Sequence, residues 1–321
     1  MVVPMFRVFI LSLLLVCATR MVFAGNDTKV IYGDDNRVSV TDEQINSTVA
    51  QAVAGGVSLN RLQKTADGNY LTPFLNSLRT TNQVCAEERF ANEPLLPTCT
   101  GFLVAPNILV TAGHCLVEKA EIAQNKVTSA CERNAWVFGF TQTNGAVSVK
   151  FNKDQVYNCK KVIYGTYGNR ISDNDQGADF AIVELDRDVV GRRPMQIRQT
   201  GAVREGEKLF LVGHPSGLPL KYATGGEVLD ARAVHYFISN VDSFAGNSGS
   251  PVLNIETNVV EGILVRGKKD YIPHPDTTRS CMVVNRCDSN GNNCVSAVRE
   301  DLSGEHVTRI TDILRYLPLG I

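Results

Sequence analysis

Ile108-Leu109-Val110-Thr111-Ala112-Gly113-His114-Cys115 is an apolar run of strand character that ends in glycine, histidine and cysteine. A histidine leaving a strand into a turn has a fixed backbone and an imidazole that faces outward. Two further stretches matter, and their order along the chain is part of the evidence. In Gly177-Ala178-Asp179-Phe180-Ala181-Ile182-Val183-Glu184-Leu185 an acid precedes a buried strand, so its carboxylate can be shielded from water and aimed at a histidine. In Gly246-Asn247-Ser248-Gly249-Ser250-Pro251-Val252 the glycines permit backbone torsions that bulkier residues resist. The N–H groups of Gly246 and Ser248 can then converge on one point, which is how main chain makes an oxyanion hole. Taken singly, each piece has an ordinary explanation: a structural histidine, a strand-capping aspartate, a glycine-rich loop. Together, in the order His, Asp, Ser, they make the kit that amide hydrolysis needs.

The rest of the chain sets the context. It has 321 residues, 44% of them hydrophobic and 20% charged, enough for one large all-β domain or two smaller ones. Lys and Arg number 32 against 33 Asp and Glu, so nothing marks a nucleic-acid or anionic-membrane partner. Residues 1–24 read as a signal peptide: a basic start at Arg7, an apolar run from Val8 to Ala18, and Val22-Phe23-Ala24 ahead of Gly25. The run is broken by Arg20 and is shorter than the roughly 20 apolar residues of a membrane span. Val16 before Cys17 disfavours a lipid anchor. The expected location is therefore secreted, extracellular or periplasmic. Eight cysteines remain after Cys17, an even number that reads as disulfides in an oxidising compartment. No spacing fits a zinc module, and Cys287 to Cys294 has one carboxylate, too few for a calcium loop. No cofactor and no metal are expected.

Residues 25–80 are polar, with a helix expected over Thr41 to Ala54 capped by Thr41-Asp42-Glu43-Gln44. This segment is read as an N-terminal extension or pro-segment, ahead of a domain over 81–321. Past Asn82 the chain turns to short apolar runs broken by Gly, Pro and Asn, which argue for a sandwich or barrel. His306 to Leu317 carries Val307, Ile310, Ile313, Leu314 and Leu317 at helical spacing.

These stretches resemble the trypsin/chymotrypsin-type serine peptidases, and Gly246-Asn-Ser-Gly-Ser-Pro-Val252 is similar to the bacterial branch that includes glutamyl endopeptidases. The likeness runs from about Cys85 to Ile321. It implies an all-β fold of two antiparallel six-stranded barrels with a C-terminal α-helix, acting as a monomer on protein or peptide substrates. It implies a Cys99–Cys115 disulfide around the histidine. Ser248 would attack the scissile carbonyl, His114 would take its proton, Asp179 would hold the imidazole, and Gly246 with Ser248 would bind the oxyanion. Asp173 and Asp175 are the substitutes for Asp179. His214, in Gly213-His-Pro-Ser-Gly217, reads as a turn that could reach the cleft rim.

For substrate binding the likeness points to Asp242, Ser243, Val265 and Gly267. Asp242, six residues before Ser248, takes the place of a carboxylate that selects Arg or Lys; the alternative is that it turns away and caps a loop. Leu264 stands where glutamyl-specific relatives carry histidine. Arg266 departs from the usual aromatic or glycine, narrowing the pocket or neutralising Asp242. Asn247 offers no charge for the buried ion pair that activates trypsin zymogens. Two other readings are a catalytically silent relative that binds peptides or another protein with the same cleft, and a small-ester hydrolase on an α/β sheet. The esterase would need the serine first in the chain order, and Pro251 opposes the helix it requires.

Overall fold

The short apolar runs form two sets of antiparallel strands, each closed on itself. The computed structural model describes residues 30–45, 49–142, 148–169, 178–294 and 304–321. Twelve strands serve as barrel staves. The first six are β1 (Val53–Ser58), β2 (Cys99–Ala105), β3 (Ile108–Thr111), β4 (Asn134–Phe138), β5 (Val156–Asn169) and β6 (Ala178–Leu185). They pair in the order β6-β3-β2-β1-β4-β5, and β5 closes back on β6. The second six are β7 (Lys208–Gly213), β8 (Lys221–Asp230), β9 (Tyr236–Ser239), β10 (Pro251–Asn254), β11 (Val260–Arg266) and β12 (Glu305–Arg309). Their order is β7-β10-β11-β12-β9-β8, closed by β7 on β8. Closure leaves no free edge among the staves. One apolar core fills the first barrel and continues between the barrels through Phe210, Val265 and Ile310. A second, around Phe237, Val252, Leu264 and Val307, fills the other barrel. All eight cysteines after Cys17 pair, as Cys85–Cys281, Cys99–Cys115, Cys131–Cys159 and Cys287–Cys294.

Three features differ from the sequence reading. The barrels begin before residue 81, because β1 at Val53–Ser58 pairs with both β2 and β4. Residues 30–45 also belong to the fold: Ile31–Tyr32 pairs with Arg286–Cys287, and Arg37–Ser39 pairs with β8. The helix expected over 41–54 is only Asp42–Ile45. Its capping box forms, with Thr41 N–H on Gln44 Oε1 at 3.2 Å and Gln44 N–H on Thr41 Oγ1 at 3.4 Å. From Val53 the ladder with two neighbouring strands satisfies the backbone instead.

The C-terminal α-helix is likewise corrected. Glu305–Arg309 is the last stave, fully buried between β9 and β11, and only Ile310–Tyr316 is helical, as a 3₁₀ helix. A 3₁₀ turn repeats every three residues, so Ile310 and Ile313 share its buried face as they would share that of an α-helix. Residues 1–24, the expected signal peptide, and the acids Asp173 and Asp175 lie outside the described residues. No helix among the described residues is long and apolar enough to cross a membrane.

Candidate active site

β3 delivers the histidine. Its last residue, Thr111, is followed by extended Ala112 and a single 3₁₀ turn, Gly113–Cys115, that carries His114. A side chain at Gly113 would collide with the Thr166 carbonyl and stand 3.0 Å from Asp179 Oδ1. Glycine is therefore what lets this turn lie against β5 and β6. Asp179, second in β6, directs both carboxylate oxygens at one residue. Oδ1 accepts the His114 N–H at 3.1 Å and Oδ2 meets His114 Nδ1 at 2.9 Å. The Asp179 side chain is 2% exposed, and its main-chain carbonyl accepts the Thr308 hydroxyl from β12 at 3.1 Å. Burial alone would raise its carboxyl; the His114 charge, the hydrogen bonds from His114 and the Arg266 charge more than reverse that, holding it below the ordinary carboxylate range. On the outer side, the Tyr167 ring lies 5.6 Å from the imidazole.

The serine turn is built against the same strands. Ser248 sits between Gly246 at φ +92° and Gly249 at φ +88°, torsions that only glycine adopts without strain. A side chain at Gly249 would strike Thr100 O, the Thr111 hydroxyl and the Ala112 amide, so this turn packs directly on the strand ends that lead to His114. Thr100 N–H donates to Ser248 O at 2.8 Å, and Gly249 N–H donates to Leu264 O at 2.7 Å. Cys115 Sγ, fixed by its bond to Cys99, lies 3.8 Å from the same Ser248 carbonyl. The structure thus brings His114, Asp179 and the Ser248 turn together at the junction of the barrels.

Gly246 is oriented from behind. The Ala245 carbonyl accepts the Ser216 N–H, and because the peptide is trans the Gly246 N–H points the opposite way. The Asn247 N–H is used within the turn, on Phe244 O at 3.0 Å. Asn247 itself is buried, with its amide on Ser243 Oγ at 3.3 Å and its carbonyl near Ser250 Oγ at 3.4 Å.

The expected turn at 213–217 exists, as Pro215–Gly217, and backs the serine turn; His214 is buried there rather than at a cleft rim. Its Nδ1 lies 2.9 Å from Leu218 O, and burial pushes its pKa down to about 4. Thr100 links the pieces, its hydroxyl donating to Gly246 O at 2.7 Å and accepting the His214 N–H at 3.2 Å. Sequence reasoning missed Thr100 and Thr308, since lone threonines in strands carry no signal. The glycines and proline of 213–217 were the visible hint of the supporting turn.

The substrate-binding expectations need correction. Asp242 is buried and faces the N-terminal segment, where its two oxygens accept Tyr32 N–H at 2.8 Å and Asn36 N–H at 2.9 Å. Burial raises its carboxyl to about 7 despite these donors. That carboxylate is occupied by main chain 206 to 210 residues away in sequence, so it does not present itself to a substrate cation. Ser243 is buried beside it, with its N–H on Val30 O at 3.1 Å and its hydroxyl accepting from Asn247. The Val265 side chain packs into the core between the barrels, leaving only its backbone for a substrate. Gly267 follows the end of β11, where any side chain would collide with the Glu305 carboxylate. That carboxylate accepts the Tyr32 hydroxyl at 3.1 Å. Arg266 goes to Asp179, with Nη2 4.0 Å from Oδ2. Among the described residues, the two groupings of His, Cys and acids close enough to share a metal both depend on disulfide-bonded cysteines, which offer no thiolate.

The chain is similar to a solved structure of Glu endopeptidase in complex with MPD, at 18% identity and a TM-score of 0.44, over 74% of this chain and 88% of that one. It is 27% identical over 153 residues to a protein called extracellular metalloprotease from Bacillus subtilis (strain 168). That match covers 46% of this chain and 45% of the relative, so the chain spans less than half of that protein's length. A family model described as a trypsin-like peptidase domain matches residues 99–263, from the cysteine that braces the histidine turn to the middle of β11 beyond the serine turn. With just over half of its length in that match, the chain belongs to the trypsin-like peptidase family.

Proposed function

We propose that this peptidase is a secreted serine endopeptidase that works through an acyl-enzyme. The observation that carries the reading is the pairing of both Asp179 oxygens with His114 beside a serine turn anchored on the same strands. In this mechanism His114 withdraws the Ser248 proton as the hydroxyl attacks the scissile carbonyl, then passes it to the leaving amine. Asp179 holds the imidazole with Nδ1 protonated and stabilises the imidazolium. The N–H groups of Gly246 and Ser248 receive the oxyanion; one such donor contributes about 3 kcal/mol to the barrier reduction. Backbone from Val265 to Gly267, beyond the part of β11 that pairs with β10, receives the substrate as an added strand. Four disulfides and the signal-like residues 1–24 support export.

The Arg or Lys preference first inferred from Asp242 loses its support, because that carboxylate binds Tyr32 and Asn36. A peptide library cleaved by the wild type and by Asp242→Ala tests both points. The wild type is expected to cut internal peptide bonds. The variant is expected to keep the same cleavage-site preference and to lose about 1–3 kcal/mol of stability in urea, from a buried and a half-buried N–H group left without their acceptor. A preference for Arg or Lys that vanishes in the variant would restore Asp242 to the pocket. No cleavage by wild-type protein with its four disulfides intact would favour the silent, peptide-binding relative.

A further inference from the structure

We infer that Arg266 is a positioning residue of the hydrolytic reaction, pairing with the Asp179 oxygen that also meets the imidazole and making His114 a weaker base than aspartate alone would. The inference rests on the serine-peptidase reading above and adds a residue to it. Arg266 closes β11, and its guanidinium is 4.0 Å from Asp179 Oδ2, the oxygen that meets His114 Nδ1 at 2.9 Å. One carboxylate oxygen is therefore shared between a permanent cation and a ring that becomes a cation in every catalytic cycle.

The arrangement is shielded from water, since Asp179 is 2% and Arg266 21% exposed at the side chain. Charges so placed are screened far less than surface pairs. A β-bulge between Leu264 and Arg266 marks the place where β11 leaves regular register with β12. Among the described residues, the charged and titratable groups around the pair come from several elements. β5 supplies Tyr167 against the imidazole, with Lys119 beside Gly168 beyond it. β12 supplies His306, the register partner of Arg266, whose ring stacks on Tyr236. The permanent positive charge among these on Asp179 itself is that of Arg266, and it contributes to keeping the carboxyl ionised.

The sign follows from Coulomb's law. A fixed cation beside Oδ2 stabilises the carboxylate and opposes a second positive charge on the adjoining ring. His114 then loses its proton at lower pH, and the enzyme keeps a neutral base further into the acid range. It also gives the carboxylate a second anchor, so Oδ2 stays on Nδ1 when the ring turns between serine and leaving group.

The test is the pH dependence of kcat/KM on an uncharged peptide substrate for wild type, Arg266→Gln and Arg266→Lys. Arg266→Gln is expected to move the acid limb up by about half to one pH unit. Arg266→Lys, which keeps the charge, is expected to return most of that shift. Plateau activity falls in the glutamine variant, a loss that a purely structural role would share; the movement of the limb is what such a role would not produce. Should Arg266→Gln fail to fold, Arg266→Met supplies an uncharged side chain of similar length for the same profile. Coincident acid limbs in the charged and uncharged forms, with Ser248 still labelled by an active-site serine reagent, would overturn the inference alone. A wild type with neither labelling nor an acid limb would overturn the serine-peptidase reading on which it rests.

Discussion

Ser248→Ala is expected to lower kcat by about five to six orders of magnitude while leaving the fold intact. Removal of the nucleophile from a triad commonly costs that much, because base and acid then have no hydroxyl to act on. The residual rate, some thousandfold above the uncatalysed reaction, reflects the oxyanion donors and binding alone. The turn is held by main-chain contacts, namely Thr100 N–H to Ser248 O, Gly249 N–H to Leu264 O and the close approach of Gly249 to Ala112, and by the side chains of Thr100 and Asn247. None of them uses the hydroxyl. Unfolding free energy should thus change by less than about 1 kcal/mol, the usual range for a small polar truncation. Steady-state kinetics and urea denaturation on the same preparation separate the two effects. Activity retained in the variant would mean that a different serine is the nucleophile.

The second large effect belongs to Asp179→Asn, for which kcat is expected to drop about ten-thousandfold with little change in KM. Asp179 accepts two hydrogen bonds from His114, one on each oxygen. An amide has one oxygen to offer. If that oxygen takes the His114 main-chain N–H, the NH₂ group faces Nδ1 and stabilises the tautomer whose proton is on the wrong nitrogen. The substitution also removes a pH-dependent part of stability. The Asp179 carboxyl is depressed in the folded state, so its contribution is present above the unfolded value near 4 and is lost as pH falls through the folded one. Wild-type stability should decline across that acid range, and the asparagine variant should show a shallower decline. Thermal unfolding between pH 2 and 6 reads this directly. The activity limb above that range cannot come from His214, which burial holds at about 4.

The parts of this structure legible in sequence are those whose signal is local. His114 and Ser248 announce themselves because glycines must stand beside them: Gly113 against the Thr166 carbonyl, Gly246 and Gly249 at positive φ. Runs such as Phe180 to Val183 and Leu209 to Val212 are buried throughout, and a short apolar run bounded by turn residues reads as a strand. β1 was hidden for the opposite reason. Val53-Ala-Gly-Gly-Val-Ser58 holds two glycines, which sequence propensity counts against a strand. Gly55 is needed because the Pro97 ring presses on it, a neighbour that only tertiary structure supplies, whereas a side chain at Gly56 would meet Trp136 only at ordinary contact distance.

Spacing also misled where two conformations share it. The apolar positions of 306–317 suit an α-helix, yet Val307 fills the second barrel and Ile310 and Ile313 line a 3₁₀ turn. For Asp242 the spacing to Ser248 says nothing of the direction of its carboxylate. That direction is set by Tyr32 and Asn36, whose return to the second barrel no local pattern reveals.

The proposed mechanism depends most on a serine made reactive by its neighbouring imidazole. A fluorophosphonate reagent applied to the disulfide-bonded protein, followed by peptide mapping, measures that reactivity. A single adduct on Ser248, formed in the wild type and slowed by several orders of magnitude in His114→Ala, is the result predicted. An adduct on another residue, or labelling of Ser248 at the same rate without the imidazole, would contradict it.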